Sequence, residues 1–299
     1  MRLNFFLECA MFVAGLAFGS FLNVCISRIP RDLSIVAPPS FCPRCEAPIR
    51  WRDNIPLLSW IILRGRCREC GLPISRRYPA VELLTAVLFV SCYTSFGVSW
   101  PTLKCCLFCF LIVGLIFMDA ETGLLPHEFT YSGIGLGLGL AWLAPIDPSG
   151  TAFFLNALGL RGIPIGPELS VLDSVIGAVL GAGFFYLTWA LYYLVRRRHG
   201  MGFGDIALIA MVGAFLGLKL TVLVVFFAPI MATMFALAIV SASLNFSPGP
   251  RTLDGESSAS DSKTFLAYEV PFGVFLGTCS LITLFFGKQI WAWYFSLFR

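Results

Sequence analysis

Two sets of residues in this 299-residue chain have the types and spacing to do chemistry. The first is four cysteines, Cys42-Pro-Arg-Cys45 and Cys67-Arg-Glu-Cys70, with 21 residues between the pairs. Two such knuckles can present four thiolates to one tetrahedral zinc ion, and Pro43, Gly71 and Pro73 suit the tight turns required. Disulfides or free thiols are the alternatives. A reducing cytoplasm, where the charge pattern puts this segment, argues against disulfides. Four thiolates leave no open coordination position, so zinc here is expected to be structural. It would supply the folding energy that a loop of about fifty residues cannot draw from a core of its own.

The second set is acidic. Asp119 follows the apolar run ending Ile116-Phe117-Met118, and Asp205 sits in Gly202-Phe203-Gly204-Asp205, directly before Ile206-Ala207-Leu208-Ile209. Each acid is at the seam between a loop and an apolar run, where a plain helix-capping role is the competing explanation. The glycines at 200, 202 and 204 remove side chains beside Asp205 and permit close approach of another helix. Two carboxylates a few ångströms apart cannot both ionise easily, so they share a proton. One can then act as base on a water while the other protonates a scissile carbonyl or leaving amine. This chemistry needs no serine, histidine or catalytic metal. The chain holds two histidines, His127 and His199, and no nucleophile elbow. Glu121, two residues on, competes with Asp119 for the first position.

The elements that position these groups follow from composition. The chain is 58% apolar and 13% charged, with mean hydropathy +0.83 and 29 phenylalanines. Soluble domains carry about 25% charged residues, so an all-α polytopic membrane protein is expected. Eight apolar segments are long enough to cross a bilayer of about 30 Å. They lie near 5–27, 79–97, 101–118, 128–145, 169–195, 204–219, 221–245 and 267–287, spans six and seven touching at Lys219. The first is read as a retained span and not as a cleaved signal. Pro79 and Pro101 suit first helical turns.

Segment 28–78 carries ten arginines against four acids, which marks it as cytoplasmic. Threading eight spans from that anchor puts the N-terminus outside and Arg196, Arg197 and Arg198 inside. The Ser/Gly/Pro-rich stretch 246–266 also falls inside, as a flexible linker. Fifteen of the 21 basic residues then share one face. The expected division is a first helix at 1–27, a zinc-ribbon-like insertion at 28–78 and a membrane core at 79–299. Asp119 and Asp205 both land at cytoplasmic helix ends. The alternating Gly133, Gly135, Gly137 and Gly139 are expected to serve helix packing. The cysteines at 9, 25, 92, 105, 106, 109 and 279 are read as small hydrophobes.

These residues, in this order, resemble the bacterial type IV prepilin peptidases, the GxGD-type membrane aspartic peptidases. Gly19-Ser20-Phe21-Leu22-Asn23-Val24 with Arg28-Ile29-Pro30 looks like the family's opening motif. The cysteine knuckles, Asn54-Ile55-Pro56-Leu57-Leu58-Ser59-Trp60, Arg64-Gly65-Arg66-Cys67 and the run Arg77 to Thr85 follow in register. Asp119 takes the first catalytic position, seven residues before Pro126, and Gly202-Phe203-Gly204-Asp205 is the GxGD. His127 and Ala207 depart from the residues common at their positions.

The resemblance implies a cut after a short basic leader of a prepilin or pseudopilin of type IV pilus or type II secretion systems. The cut falls next to a hydrophobic helix, on the cytoplasmic side of the inner membrane. The new N-terminus is then methylated from S-adenosylmethionine. The arginines of 28–78 should repel a basic leader, and anionic lipid head groups account for them without a nucleic-acid partner. The alternative reading is a proton- or ion-conducting transporter. Transporters place such acids near the bilayer midplane.

Overall fold

The computed structural model describes residues 2–145, 151–152, 155–156, 159, 166–197, 202–245 and 271–297. Seven helices of the all-α core are α1 (Arg2–Arg28), α3 (Arg77–Phe96), α4 (Trp100–Thr122), α5 (His127–Leu143), α6 (Pro167–Arg196), α7 (Phe203–Asn245) and α8 (Phe272–Ser296). A short α2 (Leu58–Ile62) lies in the insertion between α1 and α3. Of the expected loops, 246–266 and most of 146–168 are outside the described residues, as are Arg198, His199 and Gly200.

Helix ends follow local chemistry. Ser99 accepts the Thr102 N–H at the start of α4, with Pro101 in the first turn. Gly123 closes α4 in the left-handed region at φ 64, its N–H donating to the Asp119 carbonyl at 2.8 Å. Pro79 lies in the first turn of α3, and Pro271 precedes α8. That last boundary moves the start of the final helix from the expected 267 to 272 and its end from 287 to 296.

Six helices among the described residues are long and apolar enough to span a membrane: α1, α3, α4, α6, α7 and α8. Two observations reconcile this with eight passes. Helix α5 has 17 residues, about 26 Å of rise, and falls just short. Helix α7 is two helical limbs joined at Gly217, whose φ 75 and ψ 178 are non-helical.

The first limb, 203–216, runs antiparallel to α6. A Cβ on Gly213 would come within 2.4 Å of the Gly177 backbone, and one on Gly181 would lie 3.4 Å from the Ile209 side chain. The second limb, 218–245, runs antiparallel to α8. The Trp291 indole donates to the Lys219 carbonyl at 3.1 Å, and the Phe235 and Phe275 rings are 5.2 Å apart. Gly204 and Gly273, the starts of the first limb and of α8, both pack on Leu125. The chain therefore turns back at Gly217. The expected junction at Lys219 shifts by two residues to the one residue type that adopts this backbone freely.

Helix α4 is the central pillar, packed against α1, α3, α5 and α8. Phe108, Ile112, Leu115 and Met118 recur at helical spacing along it and are fully buried. The α5 glycines divide by face. Gly133 and Gly137 abut Met211, Ala214 and Phe215 of α7, whereas Gly135 and Gly139 have nothing within 4 Å. Among the described residues, only half of that stripe packs against another helix.

Candidate active site

The insertion brings its four cysteines together. The two knuckles are near-copies: Cys42 N–H donates to the Ala47 carbonyl at 3.0 Å, and Cys67 N–H to Leu72 at 2.9 Å. Antiparallel bridges join Phe41 to Pro48 and Arg66 to Pro73. Glu46 and Gly71 occupy the same left-handed position after each second cysteine, at φ 58 and 69. All four Sγ atoms lie within 4.8 Å of one another, and the Cys42–Cys70 and Cys45–Cys67 pairs are at 4.0 Å. Bonds of about 2.3 Å in a tetrahedron set sulfurs about 3.8 Å apart, so this donor set fits zinc. Burial would raise the Cys42 thiol, but N–H groups of Arg44 and Cys45 and the neighbouring thiols outweigh it and bring it to about 7.

Polar contacts dock this module on the helices. The buried Arg28 at the end of α1 donates to the carbonyls of Ser34 and Pro38 at 2.9 and 2.7 Å. Glu82 of α3 accepts the Leu57 N–H at 2.7 Å. The Arg68 fork holds Asp53 at 2.8 and 2.6 Å and keeps its carboxyl below the usual range.

Asp119 and Gly204, the residue before Asp205, both border Leu125. Asp119 is in the last turn of α4 and Asp205 in the first turn of α7. They are 6% and 8% exposed. Both are at helix ends, away from the mid-helix positions expected of a transporter. Gly202 and Gly204 flank Asp205, whose N–H donates to the Gly202 carbonyl at 3.2 Å. Glu121 is committed elsewhere. It forms an ion pair with Arg77, whose guanidinium also lies over the Tyr78 ring at 4.6 Å. Two residues turn a helix by roughly 200°, so Glu121 reaches Arg77 while Asp119 reaches the start of α8.

The sequence reading missed the third component. The Val274 N–H at the start of α8 donates to Asp119 Oδ2 at 3.0 Å, so an orphan donor of a helix N-terminus holds this carboxylate. The signal was Pro271-Phe-Gly, a helix-start pattern within the first residues of the span expected at 267–287. Leu125, between α4 and α5, was also missed. Of the cysteines given no role, Cys92 and Cys109 are buried with sulfurs 3.8 Å apart.

Comparison with known proteins identifies the family. Residues 13–96 match the model of the bacterial peptidase A24 N-terminal domain, and residues 105–237 that of the type IV leader peptidase family. A prepilin leader peptidase/N-methyltransferase of Aeromonas hydrophila is 32% identical over 96% of this chain and 93% of its own length. Proteins of that name from Klebsiella pneumoniae and Myxococcus xanthus are 40% and 38% identical. These matches cover 69% and 81% of this chain, and 84% and 65% of those relatives. No solved structure matches the chain.

Proposed function

The chain belongs to the type IV leader peptidase family, and from that premise we propose that it cleaves the basic leader from type IV prepilins or pseudopilins. The observation that supports this is that Asp119 and Asp205 are both buried and that Asp119 and Gly204, the residue before Asp205, border the same side chain, Leu125. The anion-favouring start of α8 points at Asp119, so we assign Asp119 as base and give Asp205 the shared proton. Asp119 takes a proton from water as the oxygen adds to the scissile carbonyl. Asp205 protonates the carbonyl oxygen. Collapse of the tetrahedral carbon breaks the C–N bond, and the amine leaves with a proton from the pair. The glycines at 202 and 204 let the substrate backbone approach.

We place the protein in the bacterial inner membrane as a multi-pass chain with its N-terminus in the periplasm. The insertion 28–78 is a cytoplasmic zinc module between the first helix, 1–27, and the peptidase core, 79–299. Zinc held by Cys42, Cys45, Cys67 and Cys70 is structural.

The relatives' N-methyltransferase name points to S-adenosylmethionine. Beneath the zinc module is a cavity of about 880 Å³ lined by Asn23, Phe41, Arg50, Asp53, Trp60 and Tyr78, within the size range of small-molecule sites. Asn23 Nδ2 donates to the Tyr78 carbonyl at 3.0 Å, and its buried Oδ1 has no partner among the described residues. Aromatic faces, an arginine, an acid and this orphan acceptor fit an adenosine bearing an amino-acid tail. When bound, S-adenosylmethionine supplies an electrophilic methyl group for the new N-terminal amine.

Purified Asp119→Asn and Asp205→Asn proteins are expected to lose cleavage of a prepilin, while Glu121→Gln keeps it. Mass spectrometry of the product N-terminus reads the cut and the methylation together. Full activity in either aspartate variant would remove the assignment.

A further inference from the structure

We propose that Gly204, Gly273 and Leu125 form a subsite beside the aspartate pair. It is a slot for the apolar side chain of the substrate residue just after the cut, and Leu125 fills it in the free protein. The inference rests on the peptidase reading above.

The slot is defined by missing side chains. A Cβ on Gly204 would lie 2.8 Å from the Leu125 Cβ and 3.3 Å from its Cδ1. A Cβ on Gly273 would lie 3.2 Å from the Leu125 Cδ1 and 2.8 Å from Asp119 Oδ2. Two helix starts therefore lack side chains at the point where Leu125 inserts between them. The Leu125 tip and the Asp119 carboxylate both lie within 3.2 Å of one point beside Gly273. Whatever side chain fills this slot is held next to the reacting carboxylate.

Leu125 is also the piece of the surroundings best able to leave. It lies in the non-helical segment 123–126 and makes no backbone hydrogen bond among the described residues. With Leu125 in place the two aspartates are almost closed to solvent, at 6% and 8%. A peptide can reach them only if part of this cover moves, and moving Leu125 costs contacts alone. The vacated slot is apolar and of leucine size or somewhat larger. In a substrate whose hydrophobic helix follows the cut, the first side chain available to refill it is that of the residue after the cut. Refilling recovers the apolar burial lost when Leu125 withdraws.

The test uses the purified full-length protein and two prepilins that differ only at the residue after the cut, phenylalanine or alanine. The readout is the ratio of their kcat/KM values. The wild type is expected to favour phenylalanine at least about 10-fold, the scale on which apolar pockets discriminate. Gly204→Ala narrows the slot and should cut that ratio by about 10-fold. Leu125→Ala removes the internal occupant and should lower KM for the phenylalanine substrate. A Leu125 that served only packing would lower stability and leave ratio and KM as they were.

An equal ratio in wild type and Gly204→Ala overturns the subsite. If Gly204→Ala fails to fold, an unchanged or raised KM in Leu125→Ala overturns it instead. A wild type that cleaves neither prepilin overturns the peptidase reading itself, a result distinct from an unchanged ratio.

Discussion

Replacing Gly217 by alanine tests the turn that folds α7 into two limbs and so sets the limb bearing Asp205. Its backbone, φ 75 and ψ 178, lies in a region essentially reserved for glycine, at a cost of about 1–3 kcal/mol for other residues. The added Cβ would also lie 1.8 Å from Oδ2 of Asp173. Asp173 is 1% exposed, and its Oδ1 accepts the Thr151 hydroxyl. Swinging it aside gives up a charged hydrogen bond worth about 1.5–3 kcal/mol. The two effects together come to about 2.5–6 kcal/mol, a large share of the roughly 5–15 kcal/mol that holds a typical fold. At roughly 2–4 °C per kcal/mol, thermal unfolding in detergent should shift down by about 5–25 °C. Prepilin cleavage at 37 °C should fall with it. A midpoint within about 2 °C of wild type would show that the chain does not reverse at Gly217 and would refute the two-limb description of α7.

On α5, Gly135→Ala should be neutral or stabilise by about 0.4–1 kcal/mol, since nothing lies within 4 Å. Gly137→Ala should destabilise, because its Cβ would meet the Ala214 backbone at 3.0 Å and the Phe215 ring at 2.9 Å; thermal midpoints of the pair decide it. Glu46→Gly places glycine at the left-handed position that Gly71 fills in the other knuckle. Relief of about 1 kcal/mol should tighten zinc several-fold in a chelator competition. Metal analysis of the purified protein should give one zinc per chain, and Cys42→Ser with Cys67→Ser should abolish it and lower the thermal midpoint.

The ordered motifs and the charge pattern were enough, read along the chain, to establish the class and the four-cysteine cluster, and to predict a common face for Asp119 and Asp205. Each rests on local or one-dimensional physics: apolar length, arginine excess, and CxxC turns whose partners lie close in sequence. The comparisons agree with the class, and the knuckle geometry fits the metal. What the chain order does not encode is direction around a helix and contact between distant helices. Asp119 and Glu121 differ by two residues and are equivalent as letters. The rotation of α4 turns one toward the start of α8 and the other toward Arg77. Val274 stands 155 residues from the carboxylate it holds, and only the packing of α8 against α4 joins them. Gly217 was one glycine among 28 until the crowding of Asp173 and the return of α7 along α8 marked it as the turn. The slot between Gly204 and Gly273 exists only because two helix starts from different parts of the chain close on one leucine.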